Sequence, residues 1–246
     1  SKGTIVSDDN TTPSNPFTSR GFIAAAVVVG VIILAAVIVL VTSLSAPRDP
    51  VALPTSTPSG PVASGDDRSI CGLEGFETES SLTAAPETKW ELVGTVAAPS
   101  DPTVGPGTVA PDGFRSCFAH TAQGALYFAV NYLALGTDGT LRERLPELVE
   151  TGAGREALIE ATNNSSGTES SGQRAQVAGF KIGAYDADSV TIDLALNYSD
   201  GRLISAPLKL TWEDGDWKMV LSDAGQLPLA PGPLESLGGY IPWAGA

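Results

Sequence analysis

The stretch Val190-Thr-Ile-Asp-Leu-Ala-Leu-Asn-Tyr198, Ser199-Asp-Gly-Arg202, Leu203-Ile-Ser-Ala-Pro-Leu-Lys-Leu-Thr-Trp212 decides the fold class. Its two long segments alternate apolar and polar residues with period two, the pattern of a half-buried strand, and Asp200-Gly201 between them is a strong hairpin signal. A second Asp-Gly pair, Asp214-Gly215, leads into Trp217-Lys-Met-Val-Leu221. Adding 174–185, which turns through Asp186-Ala-Asp188, gives four consecutive antiparallel strands. Pro207 lacks a backbone donor, so the third strand is locally an edge, bulged or interrupted there.

Upstream, the period changes. Residues 117–135 read as the principal helix, with Phe118, Ala122, Ala125, Ala129 and Tyr132 on one stripe and Gly136 at its stop. Shorter helical patterns follow at 140–151 and 155–162, then a polar loop at 163–172. Before them, 88–96 has strand character, and 98–113 is a loop because Pro99, Pro102, Pro106 and Pro111 oppose regular pairing. Helices followed by an antiparallel meander make an α+β domain in which helices pack on a curved sheet of about four strands. This element order resembles the nuclear-transport-factor-two-like cone fold.

Residues 21–46 are of another kind. They carry no charge, and roughly 20 apolar residues at 1.5 Å each span the ~30 Å hydrocarbon core, which predicts one transmembrane helix. A cleaved signal peptide ending at Ser43-Leu-Ser-Ala46 is the rival reading, but secretory apolar regions are usually about 7–15 residues long. Arg20 stands without a neighbouring acid, whereas Arg48 is offset by Asp49, so the positive-inside rule sets the amino terminus in the cytoplasm. The chain thus divides into a disordered cytoplasmic tail (1–20), the membrane helix (21–46), a Pro/Ser/Thr-rich stalk (47–69) and an extracytoplasmic domain (70–246).

The composition excludes one class of partner. Of 246 residues, 14 are Lys or Arg and 28 are Asp or Glu, a net charge of −14. Beyond residue 46 the chain keeps 12 basic and 26 acidic residues, so the charge lies on the outer part. Binding to a phosphate backbone rests on clustered Lys and Arg, and direct nucleic-acid contact is not expected. The two cysteines, Cys71 and Cys117, both come after the apolar run. In an exported domain they most simply form one disulfide, worth about 3–4 kcal/mol, the alternative being two unpaired buried thiols. His120 is the single histidine and no Cys-x-x-Cys pair exists, so neither a metal nor another cofactor is expected.

Several motifs carry a family resemblance: Cys71-Gly-Leu, Trp90-Glu-Leu-Val-Gly, Gly105-Pro-Gly, Cys117-Phe-Ala-His-Thr followed by Gly124-Ala-Leu, and Tyr240-Ile-Pro-Trp-Ala-Gly. Over residues 70–246 these resemble a family of single-pass actinobacterial proteins associated with mobile elements. The layout also resembles the bitopic scaffold subunits of conjugative type IV secretion channels. That likeness implies a non-enzymatic assembly role, with the bilayer and either the protein itself or other secretion components as partners.

Few residues invite chemistry. His120, with Thr121 beside it, stands at the expected start of the principal helix and marks a candidate cavity or packing site. As a general base it would need an orienting carboxylate from Asp186, Asp188 or Asp193; otherwise its imidazole fixes the helix start beside the disulfide. No Gly-x-Ser-x-Gly or other nucleophile motif occurs. Glu213, Asp214 and Asp216 surround a hairpin glycine, where acids suit the turn, and lack the spacing of an EF-hand loop. Trp90, Trp212, Trp217 and Trp243 read as core or edge cover; in the alternative, Trp243 and Tyr240, in a Gly/Pro-rich stretch of low charge, form a candidate interaction tail.

Overall fold

A computed structural model describes residues 67–164 and 174–245. The chain divides into two units, Ser1–Thr57 and Pro58–Ala246. The first unit, and with it the expected tail, membrane helix and most of the stalk, lies outside the described residues. Among those described, no helix is long and apolar enough to cross a membrane.

In chain order the second unit contains β1 (Lys89–Val93), β2 (Val96–Ser100), β3 (Thr108–Val109), β4 (Arg115–Ser116), α1 (Ala122–Gly136), a 3-10 helix (Leu141–Leu148) and α2 (Ala153–Asn164). There follow β5 (Ala175–Tyr185), β6 (Ser189–Tyr198), β7 (Leu203–Glu213), β8 (Asp216–Met219), β9 (Gly232–Leu234) and β10 (Ile241–Pro242). The architecture is mixed α+β, with a mostly antiparallel six-stranded sheet.

The alternating sequence builds the sheet as read. Strands β5, β6, β7 and β8 form a continuous meander, and Val190, Ile192, Leu194, Leu208 and Leu210 are buried on one face. Pro207 pairs with Asp193 of β6 without a register shift. Its other side is tolerant because β8 covers only Leu210–Glu213 and β9 only Leu203–Ser205, leaving Pro207 between them at a local edge. The sheet is larger than the four strands expected: β9 and β10 come from the Gly/Pro-rich region after residue 221. Because β9 borders β7 and β10 borders β5, the intervening segment crosses the outer sheet face, where Tyr240 Oη donates to Asp193 Oδ2 at 2.7 Å.

Helix α1 is enclosed rather than amphipathic. Only Gln123, Leu133 and Gly136 escape full burial, because the sheet covers one side and the β1–β2 hairpin the other. Asn131 Nδ2 fastens the hairpin to the helix by donating to Pro99 O at 3.0 Å. Gln176 clasps the hairpin from β5, donating to Thr95 O and accepting from the Ala97 amide.

Three local expectations need correction. The helix begins at Ala122, not Cys117, because Cys117 has φ of 65° and cannot continue a right-handed helix. The segment around Leu141–Leu148 is a 3-10 helix; Pro146 removes a donor and disfavours a regular α-helical turn. Residues 96–100 form a strand despite Pro99, which is tolerable in a two-stranded ladder where each strand is paired on one side only.

Candidate functional site

Everything that invited attention near His120 converges where the segment 67–77 meets the start of α1. Cys71 and Cys117 form a disulfide with Cα atoms 6.2 Å apart. Phe76 makes a parallel bridge to His120, and Glu77 N donates to His120 O at 3.1 Å. Glu77 Oε2 then accepts from Ala122 N at 2.9 Å, while Thr121 Oγ1 accepts from Gly124 N at 3.0 Å. Two free amides of the helix start are thereby capped, one from the helix's own N-cap and one from the docked segment. Thr121 is therefore the N-cap of α1.

Gly107 and Gly124, both from quoted motifs, are required by close approach here. A Cβ on Gly107 would lie 2.4 Å from Cys71 Sγ, and one on Gly124 only 1.9 Å from Ala119 O. The Gly105-Pro-Gly, Cys71 and Cys117–Thr121 motifs thus describe one packed locus.

His120 is only 1% exposed and lies just before the N-cap, not in the first helical turn. Its Nδ1 is 2.9 Å from Asp67 O and its Nε2 is 2.5 Å from Ala187 O. The ring stacks on Trp212 at 3.7 Å and 4°, and meets Phe76 and Trp217 edge-on. Trp217, fully buried, donates from Nε1 to Ala119 O at 3.0 Å.

None of the expected carboxylates orients the imidazole. Asp186 accepts from the amides of Asp188 and Ser189 and closes its own turn. Asp188 contributes its carbonyl to Trp212 N. Asp193 lies on the opposite sheet face, accepting from Ser205 Oγ and Tyr240 Oη. A general base needs a nitrogen lone pair within reach of a substrate proton; both nitrogens here face protein carbonyls.

One important group was misread in the sequence. Asp216 looked like a turn acid, yet it is 3% exposed and accepts from the amides of Cys117, Phe118 and Trp217 at 2.8, 2.9 and 2.9 Å. Burial pushes its carboxyl up to about 6, outweighing the three amide donors that favour the charged form. No spacing rule exposes this role, because two of its three partners, the Cys117 and Phe118 amides, lie nearly a hundred residues upstream.

The second aromatic locus holds the expected interaction tail. Trp243 is 5% exposed and packs on Trp90 at 4.6 Å, on Tyr127 and on Phe180, with Nε1 donating to Thr88 Oγ1 at 2.9 Å. Its ring is thus an internal anchor, in keeping with the reading of Trp243 as core cover. Tyr240 is likewise engaged with Asp193 and lies under Lys181 Nζ. Among the described residues there is no group of three His, Cys, Asp or Glu side chains able to hold a metal ion.

A family model described as a domain of unknown function, DUF8175, matches residues 49–242. The chain belongs to this family. No curated protein matches this DUF8175 chain. Among solved structures it is similar to a protein from Novosphingobium aromaticivorans described as a "putative aromatic ring hydroxylase", at 10% identity and a TM-score of 0.22, covering 44% of this chain and 91% of that one.

Proposed function

We propose that the chain is a non-enzymatic, membrane-anchored assembly subunit. In this reading residues 1–20 are cytoplasmic, 21–46 cross the bilayer, 47–69 form a stalk, and the domain beyond packs with itself or with other components of a conjugation or type IV-like secretion apparatus. We further propose that the domain's helices and sheet form a nuclear-transport-factor-two-like cone. The single observation that carries the non-enzymatic reading is the commitment of His120, with both nitrogens on backbone carbonyls and its ring stacked on Trp212. The alternative, a ligand binder or enzyme using the cone cavity, would need that residue to face a substrate. The Cys71–Cys117 disulfide supports an exported placement, since such bonds persist in oxidising compartments.

The test is cross-linking of the full chain in its native membrane from a photoreactive residue at Leu92, which is 76% exposed. Adducts to a second copy or to a membrane secretion component are expected. Absence of any adduct, together with a strictly monomeric detergent-extracted protein, overturns the proposal.

A further inference from the structure

We infer that β1 is a docking edge for a second copy of this chain, the two β1 strands pairing antiparallel about a twofold axis at Trp90. This rests on the assembly role proposed above and names the surface through which the domain packs with itself. Strand β1 is paired on one side only, with β2. In an antiparallel pair, residues alternate between exchanging backbone bonds with the residue opposite and turning those groups outward. The two-residue turn Gly94-Thr95 closes on Val93 and Val96, which bond each other, so Leu92 opposite Ala97 and Trp90 opposite Pro99 are outward positions. Two observations fix this parity. Pro99 has no N–H to give to Trp90, and the Ala97 amide donates to Gln176 Oε1 on β5. Gln176 thereby closes the outer edge of β2. The outer edge of β1 has no such clasp: among the described residues nothing bonds the backbone N–H or C=O of Trp90 or Leu92, and Leu92 is 76% exposed. An open edge of this kind accepts an extended chain, backbone bonds giving affinity and side chains selecting partner and register.

The charges on β1 select its own copy as the partner. Lys89 and Glu91 share one face of the strand and flank Trp90. Antiparallel pairing centred on Trp90 sets Lys89 opposite the second copy's Glu91 and, by symmetry, Glu91 opposite the second copy's Lys89. Both are opposite-charge pairs in the closely spaced, non-bonded positions. Moving the centre to Glu91 sets two carboxylates face to face, a centre at Leu92 pairs neither charge, and an in-register parallel arrangement brings like charges together. Glu91 is already oriented for the contact: Arg115 Nη2 holds Oε2 at 2.6 Å and Lys89 Nζ holds Oε1 at 2.8 Å, and each oxygen keeps a further lone pair. The Lys89 side chain is 74% exposed and able to swing across to the second copy. A lysine on an edge strand ordinarily guards against pairing; with Glu91 two residues on, it admits this one strand. In the same register Leu92 comes opposite the second copy's Thr88 and diagonal to its Trp90, which covers the exposed side chain.

The test uses the full chain with a photoreactive residue in place of Leu92, co-reconstituted into lipid vesicles as an equal mixture of 14N- and 15N-labelled copies. After irradiation the joined peptides are identified by mass spectrometry. The expected adduct links position 92 of one copy to residues 88–90 of the other, in mixed-isotope pairs. Lys89→Glu in the same chain, with an unchanged circular dichroism spectrum, should lower the yield of that adduct about fivefold or more. A second variant acts on the backbone alone. Leu92→Pro removes an N–H that belongs to no bond of the hairpin, as Pro99 already does on β2, so the domain should stay folded while the chain sediments in detergent as monomer where the wild type sediments as dimer. Adducts confined to another segment of the second copy overturn this inference and leave the assembly role standing, as do adducts formed only with another protein in the native membrane. Absence of any adduct in vesicles and in the native membrane, with a strictly monomeric chain, overturns both. An unchanged yield in Lys89→Glu, or an unchanged dimer in Leu92→Pro, also overturns the inference.

Discussion

Asp216 accepts a 2.8 Å hydrogen bond from the amide of Cys117, a residue held at φ of 65°. The left-handed backbone turns the Cys117 and Phe118 amides toward one carboxylate, and the same residue carries the disulfide. Removing the acceptor leaves buried donors without a partner, each costing about 1–3 kcal/mol. Asp216→Ala should therefore lower the unfolding free energy by roughly 2–4 kcal/mol, measured by urea unfolding of the detergent-solubilised chain.

The same carboxyl makes stability depend on pH. Its folded-state value is raised to about 6 from 3.8, so the folded protein holds this proton more tightly than the unfolded one. Its contribution is full below about pH 4 and is lost as pH rises through about 6, a change of up to roughly 3 kcal/mol. Unfolding free energies at a series of pH values should fall across this window, and Asp216→Asn should flatten the fall.

Replacing both cysteines by serine should cost about 3–4 kcal/mol, since the bond closes a separation of 46 residues. Comparing the unfolding midpoints of the double variant and of the oxidised wild type checks this. Reducing agent should move the wild type toward the variant and leave the variant unchanged.

Trp243→Ala removes a ring packed among Trp90, Tyr127 and Phe180 and should cost roughly 3–5 kcal/mol. Tyr240→Phe removes only the hydroxyl that bonds Asp193 and should cost about 1 kcal/mol. Thermal unfolding of the two variants side by side separates an internal anchor from a dispensable tail.

Gly124→Ala should destabilise by roughly 2–3 kcal/mol, because its Cβ would meet the Ala119 carbonyl. Gly139→Ala, where nothing lies within 4 Å, should stay within about 0.5 kcal/mol and serves as the control.

The meander was legible because hairpins are local. Period-two alternation and the Asp200-Gly201 and Asp214-Gly215 turns are contained within a few residues, and they placed β5 through β8 almost to the residue. Even the locally open edge at Pro207 could be read. Strands β9 and β10 were hidden because their partners are remote and their composition, rich in Gly and Pro, reads as loop. The start of α1 was set too early because the apolar stripe continues through Phe118, while the left-handed turn at Cys117 comes from a disulfide and a distant carboxylate. His120 was found because it is unique, and the reading in which its imidazole bonds the backbone at the helix start agrees with the structure. Which carbonyls it meets, those of Asp67 and Ala187, was hidden because backbone groups leave no mark on side-chain chemistry.

The most direct measurement is the reactivity of the single histidine toward diethyl pyrocarbonate in the native, full-length protein, followed by mass spectrometry. If His120 is an interior fastener and not an accessible base, the native protein stays unmodified and the residue reacts only after unfolding. Prompt modification of the folded protein, at the rate of a free imidazole, would contradict the account and restore a cavity with a working base.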